Sequence, residues 1–134
     1  MIDIKWEKRF AVGYEKIDDE HRVFIDLIRS NSETIDSQKS LEHVTRFLDE
    51  LVLYAKFHFF SEETLMILSN YPKYEDHKKD HLRLFETLVQ QIEQYKENQE
   101  DGESFVLFIF EWFVIHTMQV DKELSDYLNA TKGI

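Results

Sequence analysis

"YAKFHFFSEETLM", residues Tyr54 to Met66, sets a histidine and a glutamate one helical turn apart inside a dense aromatic run. The stretch continues a spacing of three and four through Leu41, Val44, Leu48, Leu51, Ala55, His58, Glu62 and Leu65. That is the period of an α-helix with one buried face. His58 and Glu62 fall on the buried stripe, where an unpaired carboxylate costs several kcal/mol. A helix that carries them inward needs a counter-charge from somewhere else in the fold.

Three further segments have the same period. The first starts near Asp18, read as an N-cap, and runs through Ile17, His21, Phe24 or Ile25, Ile28 and Ile35. After "SNYP", whose Pro72 ends the His58 helix, another carries His77, His81, Leu84, Leu88, Ile92 and Tyr95. The last carries Phe105, Ile109, Trp112 and His116, then Asp121, Leu124 and Leu128. The polar stretches "NSETIDSQKS" and "NQEDGE", the second pivoting on Gly102, supply the remaining turns. Residues 1–16, with Trp6, Phe10, Val12 and Tyr14, lack a sustained period and read as an ordered arm bent at Gly13. The expectation is an all-α, antiparallel up-down-up-down four-helix bundle in one domain: arm 1–16, bundle 17–128 and tail 129–134.

Composition agrees with this and excludes several function classes. Three glycines and one proline in 134 residues are too few turn-makers for a many-stranded sheet. A net charge of -11 repels nucleic acid and anionic membrane, so neither is expected as a partner. Without cysteine there is no disulfide, thiolate metal site or iron–sulfur cluster. The N-terminus has no secretory signal pattern, and no apolar run approaches the roughly 18 residues that span a bilayer. A cytoplasmic location is expected.

Five of the six histidines lie on inward stripes. His21 opens the first helix, His58 falls late in the second, His77 and His81 open the third, and His116 falls late in the fourth. With alternating helix directions these positions meet at one end of the bundle. His43 is off its stripe and is read as a surface residue. Asp121 lies five residues after His116, about 500° around a regular helix, so the two would point roughly 140° apart. Both face inward only if the helix loosens, and a π-bulge is expected between Thr117 and Asp121.

Taken singly, each feature has an ordinary explanation: a hydrogen-bonded core histidine, a surface acid at Glu62 beside Glu63, a cap at Asp121. Jointly, five imidazoles and two carboxylates, with no Lys or Arg on those stripes, leave two buried anions without protein counter-charge. Bound cations offset that burial. Seven donors exceed what one transition-metal ion takes, and nitrogen–oxygen ligation suits iron, manganese, zinc or copper. If Glu62 and Asp121 both bridge two ions with one solvent-derived oxo or hydroxo group, the histidines divide three and two. One ion is then six-coordinate and the other five-coordinate, with an open position.

Residues "VGYEKIDDEH", "HFFSEE" with Met66 following, "YPKYEDHKKDH" and "WFVIHTMQVD" together resemble the hemerythrin family, specifically its bacterial single-domain members. The resemblance implies a non-haem di-iron site that binds O2 reversibly and acts as a carrier, store or delivery module rather than as an enzyme. O2 would be held end-on as hydroperoxide at the five-coordinate iron; NO and small anions such as azide are further ligands. By position in the motifs, His77, His81 and His116 would hold the six-coordinate iron and His21 and His58 the other, with Glu62 and Asp121 bridging. Phe59, Trp112, Thr117 and Met118 would line the O2 pocket. Thr117 and Met118 depart from the aliphatic residues common after the last histidine, and a hydroxyl there is expected to admit water and speed autoxidation. The alternatives are a sensor of O2, NO or redox state acting through a partner protein, and a di-iron oxidase or peroxidase.

Overall fold

The computed structural model describes residues 4–37, 41–98 and 102–131. Helix α1 spans Glu15–Ser37, α2 Leu41–Leu68, α3 Tyr74–Asn98 and α4 Gly102–His116. A π-helical turn, Thr117–Asp121, joins α4 to α5, Lys122–Thr131, as one continuous rod. Helix α1 packs on α2 and on α4, α2 on α3, and α3 on α4, which closes a square, antiparallel bundle. The side chains of Ile35 and Leu41, assigned to inward stripes by their spacing, lie outside the described residues, as does most of the "NQEDGE" turn. Gly102 is the first residue of α4 rather than a pivot.

The sequence boundaries shift at both ends. Helix α1 begins before Ile17, and Asp18 is not its N-cap. The Asp18 carboxylate instead turns back onto the arm and accepts the backbone N–H groups of Val12 at 2.8 Å and Gly13 at 3.2 Å. A first-turn acid sits at the positive end of the helix dipole, where it serves both the helix and the incoming chain. Gly13 takes φ +96°, which bends the arm onto the bundle; this left-handed backbone favours glycine. Asn129 donates to the Gly13 carbonyl at 3.0 Å, and α5 continues to Thr131, into the stretch expected to be tail.

Helix α2 ends as its sequence signals. Asn70 adopts φ 55°, the Asn70 N–H reaches the Ile67 carbonyl at 3.3 Å, and the Tyr71 N–H reaches the Met66 carbonyl at 2.9 Å. This is a Schellman termination, completed by apolar packing of Tyr71 in the cluster that holds Met66.

The core has two parts. A large apolar cluster from all four helices, including Phe24, Ile28, Leu48, Leu51, Leu88, Ile92 and Ile109, also takes Ile4 and Phe10 of the arm. A smaller one joins Val12, Ile17, Met66, Tyr71, Leu124 and Leu128. On α2 the side chain of Met66 rather than Leu65 is sealed, and on α4 it is Phe113 rather than Trp112. Within the rod from Gly102 to Thr131, an 18-residue window reaches a mean hydropathy of 1.2, enough by length and composition alone to cross a membrane. Its Phe105, Val106, Ile109, Phe113, Leu124 and Leu128 are instead the rod's share of this core.

Candidate metal centre

His21, His58, Glu62, His77, His81, His116 and Asp121 converge, and none is more than 5% exposed. They form a polar layer between the two apolar clusters. The site is therefore closed above and below, not set at the open end of the bundle. The arm and α5 supply the cap, and neither shows a histidine that would have announced it.

Each helix delivers its donors by period. His58 and Glu62 stand at i and i+4 on α2, and His77 and His81 likewise on α3. Asp121 arrives through the expected π turn: the Lys122 N–H bonds to the Thr117 carbonyl, five residues back. The extra residue gives Asp121 the angular place that position 120 would hold in a regular helix, about 40° from His116 rather than about 140°. The cost of that irregular turn is accepted where a side chain must be aimed.

The ring nitrogens point to the centre in two sets, and the carboxylates divide between them. Glu62 Oε1 lies 2.9 Å from His81 Nε2 and 3.4 Å from His77 Nε2. Asp121 Oδ1 lies 3.2 Å from His77 Nε2 and 3.0 Å from His116 Nε2. On the other side, Glu62 Oε2 is 3.4 Å from His58 Nε2 and 3.9 Å from His21 Nε2. Asp121 Oδ2 is 2.9 Å from His21 Nε2 and 3.8 Å from His58 Nε2. Each carboxylate thus turns one oxygen to the three-histidine set and the other to the two-histidine set. Donor atoms of Glu62, His77, His81, His116 and Asp121 lie within 4.8 Å of one another, and so do those of His21, His58, Glu62 and Asp121. Several are buried without a hydrogen-bond partner: Glu62 Oε2, Asp121 Oδ1, and Nε2 of His77 and His116. Buried polar atoms left unsatisfied in this number call for an unaccounted partner, and the donor set fits cations.

Three acids that the sequence reading passed over hold the outer ring nitrogens. Glu20 takes the His58 Nδ1–H at 2.8 Å and the Ser61 hydroxyl at 2.7 Å. Glu63 takes the His81 Nδ1–H at 2.8 Å, and Asp80 that of His116 at 2.9 Å. Fixing the proton on Nδ1 leaves the Nε2 lone pair for a metal. A signal was present: each acid is the chain neighbour of a ligand candidate (His21, Glu62 and His81), yet serves a histidine of another helix. One residue away from an inward position, at about 100°, a side chain faces the adjacent helix.

Without cations the site balances its charge with protons. Burial pushes His58 down, but Glu62, Asp121 and Glu20 outweigh it and hold the ring up at about 10. His116, buried but facing Asp121 and Asp80, also rises to about 10, and His77 to about 9. Burial and Asp121 push Glu62 up, yet the surrounding imidazoles bring it down to about 2. Burial pushes Asp121 up, but His116, His21 and His58 hold it well below the usual carboxylate range.

The residues expected to line a ligand pocket separate. Phe59 stacks on His81 with centroids 4.3 Å apart and lies 5.9 Å from His58, so it borders both histidine sets. Trp112 is partly buried and lines a cleft of about 350 Å³ between α3 and α4, together with Asp80, Leu84, Phe108 and His116. Thr117 is sealed, its hydroxyl without a hydrogen-bond partner. Met118 is 48% exposed and cannot line a buried pocket; it follows the π turn outward while Asp121 turns in. A further ring against the two-histidine set is Phe113, 5.0 Å from His21, 6.4 Å from His58 and stacked on Phe24 at 4.5 Å. His43 is exposed, as expected.

The profile of the hemerythrin HHE cation binding domain matches residues 12–128. A bacteriohemerythrin of Clostridium acetobutylicum is 27% identical over 130 residues, covering 90% of this chain and 98% of that one. A bacteriohemerythrin of Methylococcus capsulatus is 28% identical, covering 90% and 92%, and a myohemerythrin of Theromyzon tessulatum is 31% identical over 84 residues, covering 63% and 64%. The crystal structure of a hemerythrin point mutant superposes with a TM-score of 0.79 at 25% identity, covering 96% of this chain and 98% of that one. A profile that takes in all seven converging side chains, on a bundle of the same shape, leaves one conclusion: the chain belongs to the hemerythrin family.

Proposed function

We infer that the chain binds O2 reversibly at a centre of two iron ions, as a carrier, store or delivery module and not as an enzyme. The division of the Glu62 and Asp121 oxygens between two histidine sets carries this reading, because it prepares two cation positions with shared anions. Three histidines and two bridging oxygens would hold one ion; His21, His58 and the same two carboxylates would hold the other and leave it a vacant position. Two iron ions held by these residues would supply the electrons and the attachment point for O2 on the two-histidine side.

The remaining work belongs to the side chains. Glu20, Glu63 and Asp80 fix three rings by their Nδ1–H groups, so the inward nitrogens keep their aim when a ligand enters or leaves. Phe113 and Phe24, stacked beside His21, keep bulk water from the two-histidine side. An apolar wall there disfavours charge separation and release of a reduced oxygen species, which is what reversible binding requires. The Thr117 hydroxyl, next in the chain to His116, is buried without a hydrogen-bond partner.

The test is optical. Protein loaded with ferrous iron under inert gas, then exposed to air, should gain a visible charge-transfer band that disappears on purging and returns on re-aeration. A change that purging does not reverse would refute reversible binding and favour a redox sensor or an oxidase.

A further inference from the structure

Helix α2 has a second apolar stripe, on its outer face, that the metal centre does not use. Leu53, Phe57, Phe60, Ile67 and Leu68 are 54–77% exposed, half of the large apolar side chains that stand exposed among the described residues. With Thr64 they follow spacings of four, three, four and three from Leu53 to Ile67, and Leu68 stands four residues beyond Thr64, so they form one seam about 22 Å long. Val23 on α1 and Leu82 on α3, the two helices that flank α2, are also exposed. The five α2 residues present roughly 600 Å² of apolar surface, at the ~200 Å² of a large side chain. That is at the top of the range for the largest patch on an ordinary monomer and approaches the ~800 Å² per partner of a standard interface.

We propose that this face is the interface of a homodimer, in which α2 packs antiparallel on α2 of a second copy about a two-fold axis at Phe60. Charge favours a second copy over a foreign surface. The chain carries -11, yet the only acids between Leu53 and Leu68 are Glu62, sealed in the metal centre, and Glu63, engaged with His81. Lys56 is the only cation there, and it lies over the Phe85 ring. The seam is therefore neutral where two acidic chains would otherwise repel, whereas a membrane of anionic lipid is repelled by the whole molecule. An axis at Phe60 sets Phe60 on its own copy, Leu53 opposite Ile67 and Lys56 opposite Thr64, so no like charges meet. Phe57 then faces Glu63 of the second copy, while Leu53, Phe60 and Ile67 meet one another, as an isologous contact requires.

Sedimentation velocity of the full, iron-loaded chain, from about 10 µM to about 1 mM at low and at high sodium chloride, tests this. A dimer is expected, tighter at high salt because the acidic remainders then repel less. Phe60→Glu and Leu53→Glu should weaken it by about 30-fold or more, as loss of a central contact does, with iron content and helical circular dichroism unchanged. Ile115→Glu, on the α4 face, should leave it intact. A wild-type chain that stays monomeric throughout, or a dimer that survives Phe60→Glu, overturns the proposal. The measurement is independent of O2 binding, so its failure leaves the metal reading untouched.

Discussion

Glu20 offers a way to disturb one half of the metal centre alone. Its carboxylate receives the His58 Nδ1–H at 2.8 Å and the Ser61 hydroxyl at 2.7 Å, with only 11% of the side chain exposed. Replacement by Gln keeps an acceptor for His58 but removes the charge that makes the imidazole a stronger donor to metal. Outer partners of this kind are worth about 10–100-fold in metal affinity, or about 1.4–2.7 kcal/mol. Glu20→Gln should fall near the lower figure, and Glu20→Ala, which also strands the Ser61 hydroxyl and the His58 N–H, near the upper. Because Glu20 touches only the two-histidine set, the loss should be unequal. Titration of iron against a competing chelator should show one ion held as in the wild type and one released early. Asp80→Asn should give the reverse pattern through His116, with a smaller effect because Asp80 is more exposed. Equal weakening of both ions by Glu20→Gln, or no weakening by Glu20→Ala, would refute the division of the site into two halves.

Other outcomes follow from the same geometry. In metal-stripped protein the raised His58, His77 and His116 contribute stability that is fully present below pH 6.5 and is lost as pH rises through about 9 and 10. The depressed Glu62 contributes stability that is present above pH 4.5 and is lost as pH falls through about 2. Melting temperature of that form should therefore decline between pH 7 and 10, and iron loading should remove the decline; a rise over that range would contradict the proton-for-metal exchange. Thr117→Ile, which deletes the unpartnered hydroxyl, should slow autoxidation of the aerated ferrous protein several-fold, and a rate no slower than wild type would sink that role. Gly13→Ala should cost about 1–2 kcal/mol through its positive φ, since the added methyl meets Asn129 only at 3.8 Å; thermal melts unchanged within error would place the arm's bend elsewhere.

The bundle was legible because three- and four-residue spacings persist through each helix, and the histidines were legible because they interrupt those spacings with polar groups. The π turn was legible for the same reason, since Asp121 and His116 cannot both face inward without it. What failed was the detail that a neighbouring helix or the arm decides. Leu65 against Met66 and Trp112 against Phe113 are adjacent candidates that fit the period equally well, and only the neighbouring helix chooses between them. Asp18 looks like a cap until the arm lies beside it. Glu20, Glu63 and Asp80 look like surface acids because their partners are between 18 and 38 residues away. The second apolar cluster, built from the arm, the end of α2 and α5, closes the site by tertiary packing that no single stretch announces.

The central claim is that Glu62 and Asp121 are shared between two cations. Anomalous scattering at the iron edge from crystals of the loaded protein addresses it directly. Two peaks are predicted per chain, one bonded by His77, His81 and His116 and one by His21 and His58, with each carboxylate giving one oxygen to each peak. A single peak, or two peaks with both oxygens of either carboxylate on the same ion, would contradict the account.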